Sequence, residues 1–118
     1  MSQFPKISTA IPKRRYQYGE YQASLLGEIE SPDISSYQYI MAFVAEGAAE
    51  PSLFVCCEKA RPNQRVDGRY LLRVINSALS EVLDQSDELG ELSIFADVAL
   101  DTGKQMLNLG DTEYWKIQ

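Results

Sequence analysis

The chain brings together few side chains whose types and spacing could do chemistry, and Cys56-Cys57 is the first pair to weigh. A thiol attacks as the thiolate, which a neighbouring histidine or cation must stabilise. The chain has no histidine, so the commonest general base and the commonest zinc ligand are both missing. The pair ends an apolar run, residues 53–57, and strand alternation would turn one sulfur to each face, where a thiol behaves as a small hydrophobe. It also lacks the C-x-x-C spacing of redox and zinc motifs. Carboxylates are numerous but not convergent. Asp97 and Asp101 stand one helical turn apart, and such a pair is ordinarily solvated. No catalytic set, metal site or cofactor is expected.

The cations are more suggestive. Lys13-Arg14-Arg15 runs into Tyr16, Tyr18 and Tyr21, the composition of a surface that stacks single-stranded nucleic acid. A basic triplet beside a strand equally serves as an edge that discourages aggregation, and alternating tyrosines equally serve as core or interface. A second group comprises Lys59, Arg61, Arg65 and Arg69. If a helix starts at Asp67, Arg65, Arg69 and the backbone N–H groups near Gly68 could hold a phosphate or carboxylate. Arg65 and Arg69 with Tyr16, Tyr18 and Tyr21 are the candidate ligand-binding residues, against a simpler surface pairing of Arg69 with Asp67 or Glu58.

Charge placement weighs against nucleic acid. The net charge is −6, with eight basic and eight acidic residues in 1–69 but three and nine in 70–118. An acidic half repels phosphate and suits solubility or a basic protein partner. No apolar run approaches the ~20 residues of a membrane helix. Residues 1–13 lack the apolar stretch of a secretory signal, and adjacent cysteines cannot staple a secreted scaffold, so a cytoplasmic location with reduced thiols is expected.

The elements that must position these residues follow from periodicity. Residues 1–13, with Pro5 and Pro12, read as an extended arm ahead of a single domain spanning 14–118. From Arg14 the pattern alternates as a strand, and its parity changes at Gly19, where a bulge or bend would keep Tyr16, Tyr18 and Tyr21 on one face. After the turn residues Ser31, Pro32 and Asp33, residues 37–45 and 53–57 are apolar on both faces and read as strands joined by a hairpin connection at 46–51.

Asp67 then predicts the N-cap of a helix whose stripe is Leu71, Leu72, Ile75, Ala78, Leu79, Val82 and Leu83, with Gly90 as terminator. Residues 91–109 alternate as a strand through Leu92, Ile94, Ala96, Val98 and Leu100. They also carry a helical stripe through Phe95, Val98, Ala99, Thr102, Met106 and Leu109, with Gly110 placed to end it. The helix is the preferred reading, since β-branched aliphatics are scarce there. Residues 111–118 read as a short packing tail.

The expected fold is α+β: an antiparallel meander of three or more strands, then one or two C-terminal helices on one face. The helices cover one side of the sheet. The other side needs the N-terminal arm, a second subunit or a ligand. A noncatalytic protein–protein interaction or self-association module, with a homodimer as its simplest form, is the function these features favour. The alternative is a small-ligand or anion-binding domain, with or without enzymatic activity, built on the same tyrosines and arginines.

Overall fold

The computed structural model describes residues 4–32, 36–64 and 67–117. Among these residues seven antiparallel strands form one sheet: β1 (Thr9–Tyr18), β2 (Tyr21–Glu30), β3 (Tyr37–Ala45), β4 (Leu53–Lys59), β5 (Tyr70–Ile75), β6 (Ser80–Ser86) and β7 (Tyr114–Lys116). Their spatial order is β6-β5-β4-β3-β2-β1-β7, so six strands run as a meander and the last returns beside the first. A helix, α1 (Leu92–Met106), follows β6 and packs on one face. The expected α+β meander with a C-terminal helix is therefore the fold of the chain.

The second half of the proline-containing arm is already strand, since β1 opens at Thr9. The one strand read from Arg14, with a bulge or bend at Gly19, is two strands: Gly19 has φ +58° at the first position of a two-residue hairpin in which Tyr18 pairs with Tyr21, the placement glycine takes in a type II′ turn. That hairpin turns the chain so that Tyr16, Tyr18 and Tyr21 all reach the helix-side core. A second change of face comes at Glu28, whose left-handed backbone (φ +48°) sends Ile29 to the opposite side of the sheet from Leu25. β3 and β4 lie where their doubly apolar sequences predict, in the middle of the sheet, joined through Gly47 (φ +79°).

The helix expected after Asp67 is not formed. Residues 70–86 are the β5–β6 hairpin instead. Leu72 and Val74 pack on the helix side while Ile75 packs on the other, so a strand buried on both faces mimicked a helical stripe by having apolar residues at adjacent positions. The turn closes through Asn76, whose Oδ1 accepts from the N–H groups of Ala78 and Leu79 at 2.8 Å each, and whose own N–H donates to Leu79 O at 2.9 Å. An asparagine that satisfies two backbone donors favours the turn over helix continuation. Gly90, in turn, ends no helix. It sits in a 3₁₀ turn, Glu88–Gly90, beneath the ring of Tyr70.

The second helix stands as preferred, and its terminator differs from Gly110. Asn108 takes the left-handed conformation (φ +54°), and Leu109 N–H donates to Lys104 O at 3.0 Å, the bond that closes a Schellman cap. Phe95, Ala96, Ala99, Leu100 and Gly103 face the sheet, with Phe95 stacked on Tyr39 at 5.6 Å. On the opposite face, Tyr37, Ile40, Ala42, Phe54, Cys56 and Ile75 form a smaller cluster. The N-terminal arm covers it. Phe4 lies on Phe54 at 5.1 Å, and Ile7 packs alongside. The face that needed a cover thus receives it from the same chain. Beside this cluster Glu58, only 6% exposed, accepts from Arg73 Nε at 2.6 Å, and Arg73 also donates to Ser80 Oγ at 3.1 Å.

Candidate functional site

The two thiols sit as alternation requires, Cys57 in the helix-side core and Cys56 in the opposite cluster. Burial pushes the Cys57 thiol up to about 12, and it donates to Leu89 O at 3.3 Å. Burial, reinforced by the nearby Glu58, pushes the Cys56 thiol up as well. A neutral, enclosed thiol is a packing group, and neither is poised as a nucleophile.

Arg69 precedes β5 rather than starting a helix, so the premise of a helix N-terminal anion site does not hold there. Its N–H and its Nε both donate to Asp87 Oδ1, at 2.8 and 3.3 Å, a surface pair with an acid that neither Asp67 nor Glu58 supplies. Arg65, like Asp33, lies outside the described residues. Tyr16 and Tyr18 belong to β1 and Tyr21 to β2, at the end of the sheet where those strands turn, whereas Arg69 stands at the start of β5, three strands from β2 and four from β1. The tyrosines are brought together, and Arg69 is not among them. Of the basic triplet, Lys13 pairs with Glu28 at 2.6 Å, and Arg14 donates to Tyr16 Oη and Ser93 Oγ at 3.3 Å each, tying β1 to the start of α1.

What gathers over Tyr16 and Tyr18 is the C-terminal segment, read from sequence as a tail. It is strand β7, paired with β1 in the register Tyr16–Lys116, Gln17–Trp115, Tyr18–Tyr114. The Tyr114 ring meets Tyr16 edge-on at 5.9 Å and Tyr18 at 5.1 Å. Tyr114 therefore lies on the helix side, and strand alternation puts Trp115 and Ile117 on the other. Ile117 N–H donates to Arg15 O at 2.8 Å, so residues 115 and 117 bond inward to β1. By the same alternation the backbone N–H and C=O groups of Tyr114 and Lys116 point out from the sheet. This edge is also apolar: Tyr114 is 44% exposed, Trp115 58% and Ile117 47%.

A cleft of about 490 Å³ opens on the helix side between α1 and β7, lined by Tyr18, Asp97, Asp101, Lys104, Glu113 and Tyr114. Three carboxylates against one ammonium make it acidic. Burial, with Tyr114 and Asp101 alongside, raises the Tyr18 hydroxyl above its ordinary value, so the phenol stays neutral there.

Comparison with protein-family models, with curated proteins and with solved structures finds no match for this chain. The site's function must therefore be read from its own geometry.

The other open segments of sheet edge are guarded. β6 also exposes Val82 and Leu83, but it carries Glu81 and Asp84 beside them and is broken by a register shift opposite Leu72 and Arg73, which leaves Leu83 as an extra residue. The part of β1 that β7 does not cover contains Pro12, Lys13 and Arg14 and two register shifts. Proline, charge and bulges are the devices that keep strand edges from pairing. β7 has one such residue, Lys116, beside two large aromatics. Sequence periodicity missed this strand because it is three residues long; its one signal was the aromatic pair Tyr114-Trp115 next to Ile117.

Proposed function

We propose that this chain is a noncatalytic interaction module that binds protein, either another chain or itself, by adding a strand at the outer edge of β7. The observation that carries the reading is that edge: aromatic, exposed, with outward backbone donors and acceptors, on a sheet whose other edges are blunted. Strand addition supplies main-chain hydrogen bonds for affinity and flanking side chains for specificity. The buried, neutral thiols and the absence of histidine support a binding role over a catalytic one. Two unlinked, adjacent cysteines support placing that role in the reducing cytoplasm.

Lys116→Pro tests the edge. Its N–H points outward, so proline deletes an outward donor and obstructs the edge without breaking the β1–β7 ladder. Association measured by sedimentation for the chain itself, and by affinity capture from native cells for other proteins, should be lost in this variant. Association that persists undiminished in Lys116→Pro would show that β7 is not the contact.

A further inference from the structure

We infer that the strand added to β7 is β7 of a second copy, paired antiparallel about a two-fold axis at Trp115, with Lys116 of each copy reaching the acidic cleft of the other. This rests on the reading of β7 as the contact edge and specifies its occupant. The hydrogen-bond pattern fixes the register. Within β7, Tyr114 and Lys116 present backbone groups outward, and two antiparallel copies exchange those bonds when Tyr114 of one stands opposite Lys116 of the other. That register places the two Trp115 residues directly opposite in a non-hydrogen-bonded pair, where side chains approach most closely. Both indoles lie on the face away from the helix. Trp115, 58% exposed in one copy, would be covered by its counterpart in two.

The opposite face supplies charge complementarity. Lys116 of the second copy stands beside Tyr114, hence at the mouth of the cleft lined by Tyr18, Asp97, Asp101, Glu113 and one cation, Lys104, so that three carboxylates face two ammonium groups when it enters. A cation there faces a tyrosine ring and two exposed aspartates, a favourable combination of cation–π and ion-pair contact. The contact is isologous: each copy contributes one lysine and one acidic cleft. An acidic cleft with a single cation on the adjacent edge fits this chain better than an arbitrary apolar strand. Three paired residues a side bury far less than the ~1,000 Å² of a durable interface, so the dimer is weak and reversible.

Sedimentation velocity over a hundredfold concentration range, combined with two sets of exposed-site variants, tests this. Trp115→Cys should form a covalent dimer under mild oxidation, because directly opposed strand residues meet the Cα spacing of a disulfide, and the native thiols are buried. Leu83→Cys, on β6, should not. Asp97→Lys/Asp101→Lys and Lys116→Glu should each weaken self-association at least tenfold, and an equimolar mixture of the two should restore it, since both reciprocal contacts are then of opposite sign. A wild-type monomer at every concentration overturns the inference, as does a dimer in which Trp115→Cys fails to link or the charge variants fail to complement. Capture of another protein that Lys116→Pro abolishes, with the wild type strictly monomeric, removes the second copy and leaves the interaction reading standing. Association of either kind indifferent to Lys116→Pro removes both.

Discussion

Gly103→Ala is the substitution in which helix propensity and packing give opposite signs, so it tests the docking of α1 on the sheet directly. In the interior of an isolated helix the change is favourable by about 1 kcal/mol. In this fold a Cβ at residue 103 would lie 2.6 Å from Phe43 Cε2 and 3.0 Å from Cε1, with Cζ closer still. Carbon atoms rest at about 3.5–4.0 Å, so the ring or the helix must retreat by about 1 Å. Phe43 is fully buried on β3 and has little room to give. Overpacking of that kind costs about 1–3 kcal/mol, and the lack of room places this case at about 3. The net loss is then about 2 kcal/mol. For 118 residues the unfolding entropy is about 0.25 kcal/mol per degree, which converts to a Tm lower by about 8 °C. Thermal and urea denaturation followed by circular dichroism read both quantities. Adding Phe43→Leu should recover at least about 1 kcal/mol relative to the sum of the single changes, because it makes the room that alanine needs. A Gly103→Ala chain more stable than wild type would mean that α1 does not rest on Phe43, and the helix-side core described above would be wrong.

Arg73→Ala strands the nearly buried Glu58 carboxylate and should cost about 3 kcal/mol in urea denaturation, whereas replacing both partners with Met and Leu of similar size should cost far less. Phe4→Ala removes the ring laid on Phe54 and should lower stability by about 1 kcal/mol while making Cys56, beneath the arm, accessible to a thiol reagent in the native state; unchanged labelling would show that the arm does not shield it. High pH should destabilise the fold in a defined window. Below the ordinary thiol value of 9.0 both folded and unfolded chains keep the Cys57 proton, and its contribution is complete. As pH rises above that value the unfolded chain releases the proton while the native chain holds it up to about 12, so this one thiol lowers stability by about 1.4 kcal/mol per pH unit across that interval, and the raised Cys56 thiol adds to the fall. Cys57→Ala should flatten the slope of unfolding free energy against pH between 9 and 11 by about one proton. Trp115→Ala, at an exposed edge, should leave monomer stability within about 0.5 kcal/mol of wild type.

Much of the sheet was legible because its signals were local. Residues 37–45 coincide with β3, and 53–57 begin β4, since unbroken apolar runs bounded by turn residues describe strands buried on both faces. The face shared by Tyr16, Tyr18 and Tyr21 followed from one glycine. The β5–β6 hairpin was misread for the same reason that β3 was read correctly. Leu71, Leu72 and Ile75 are apolar because two faces are buried, and adjacent apolar residues satisfy three- and four-residue spacing as readily as alternation. Val74, which has no place in the supposed stripe, and the turn-forming Asn76-Ser77 pair were the signals that distinguished the two. The candidate site was hardly legible at all. β7 is too short for periodicity, and its position beside β1 depends on a crossover that only the folded chain defines.

That crossover also changes where an interaction surface must be sought. From sequence, the pressure for a partner came from a sheet face left uncovered by the helices. In the fold Phe4 and Ile7 cover the centre of that face, and the apolar cluster beneath them is largely enclosed. No partner is required on the face. What the chain cannot close is the edge, because an open sheet of seven strands always has two. β6 is guarded by Glu81, Asp84 and a bulge, devices that weaken its hydrogen bonding to any neighbour. β7 carries two aromatics, one lysine and an unbroken register, and the residues that would guard it, Asp97 and Asp101, stand back on α1 as the wall of a cleft. Acids set there deter an apolar or acidic strand yet attract one bearing a cation, and β7 itself bears one. A device that discriminates among partners by charge while leaving the backbone ladder open is what a selective edge needs. The asymmetry between the two edges, rather than any one residue, is therefore the strongest physical support for the strand-addition role proposed for β7.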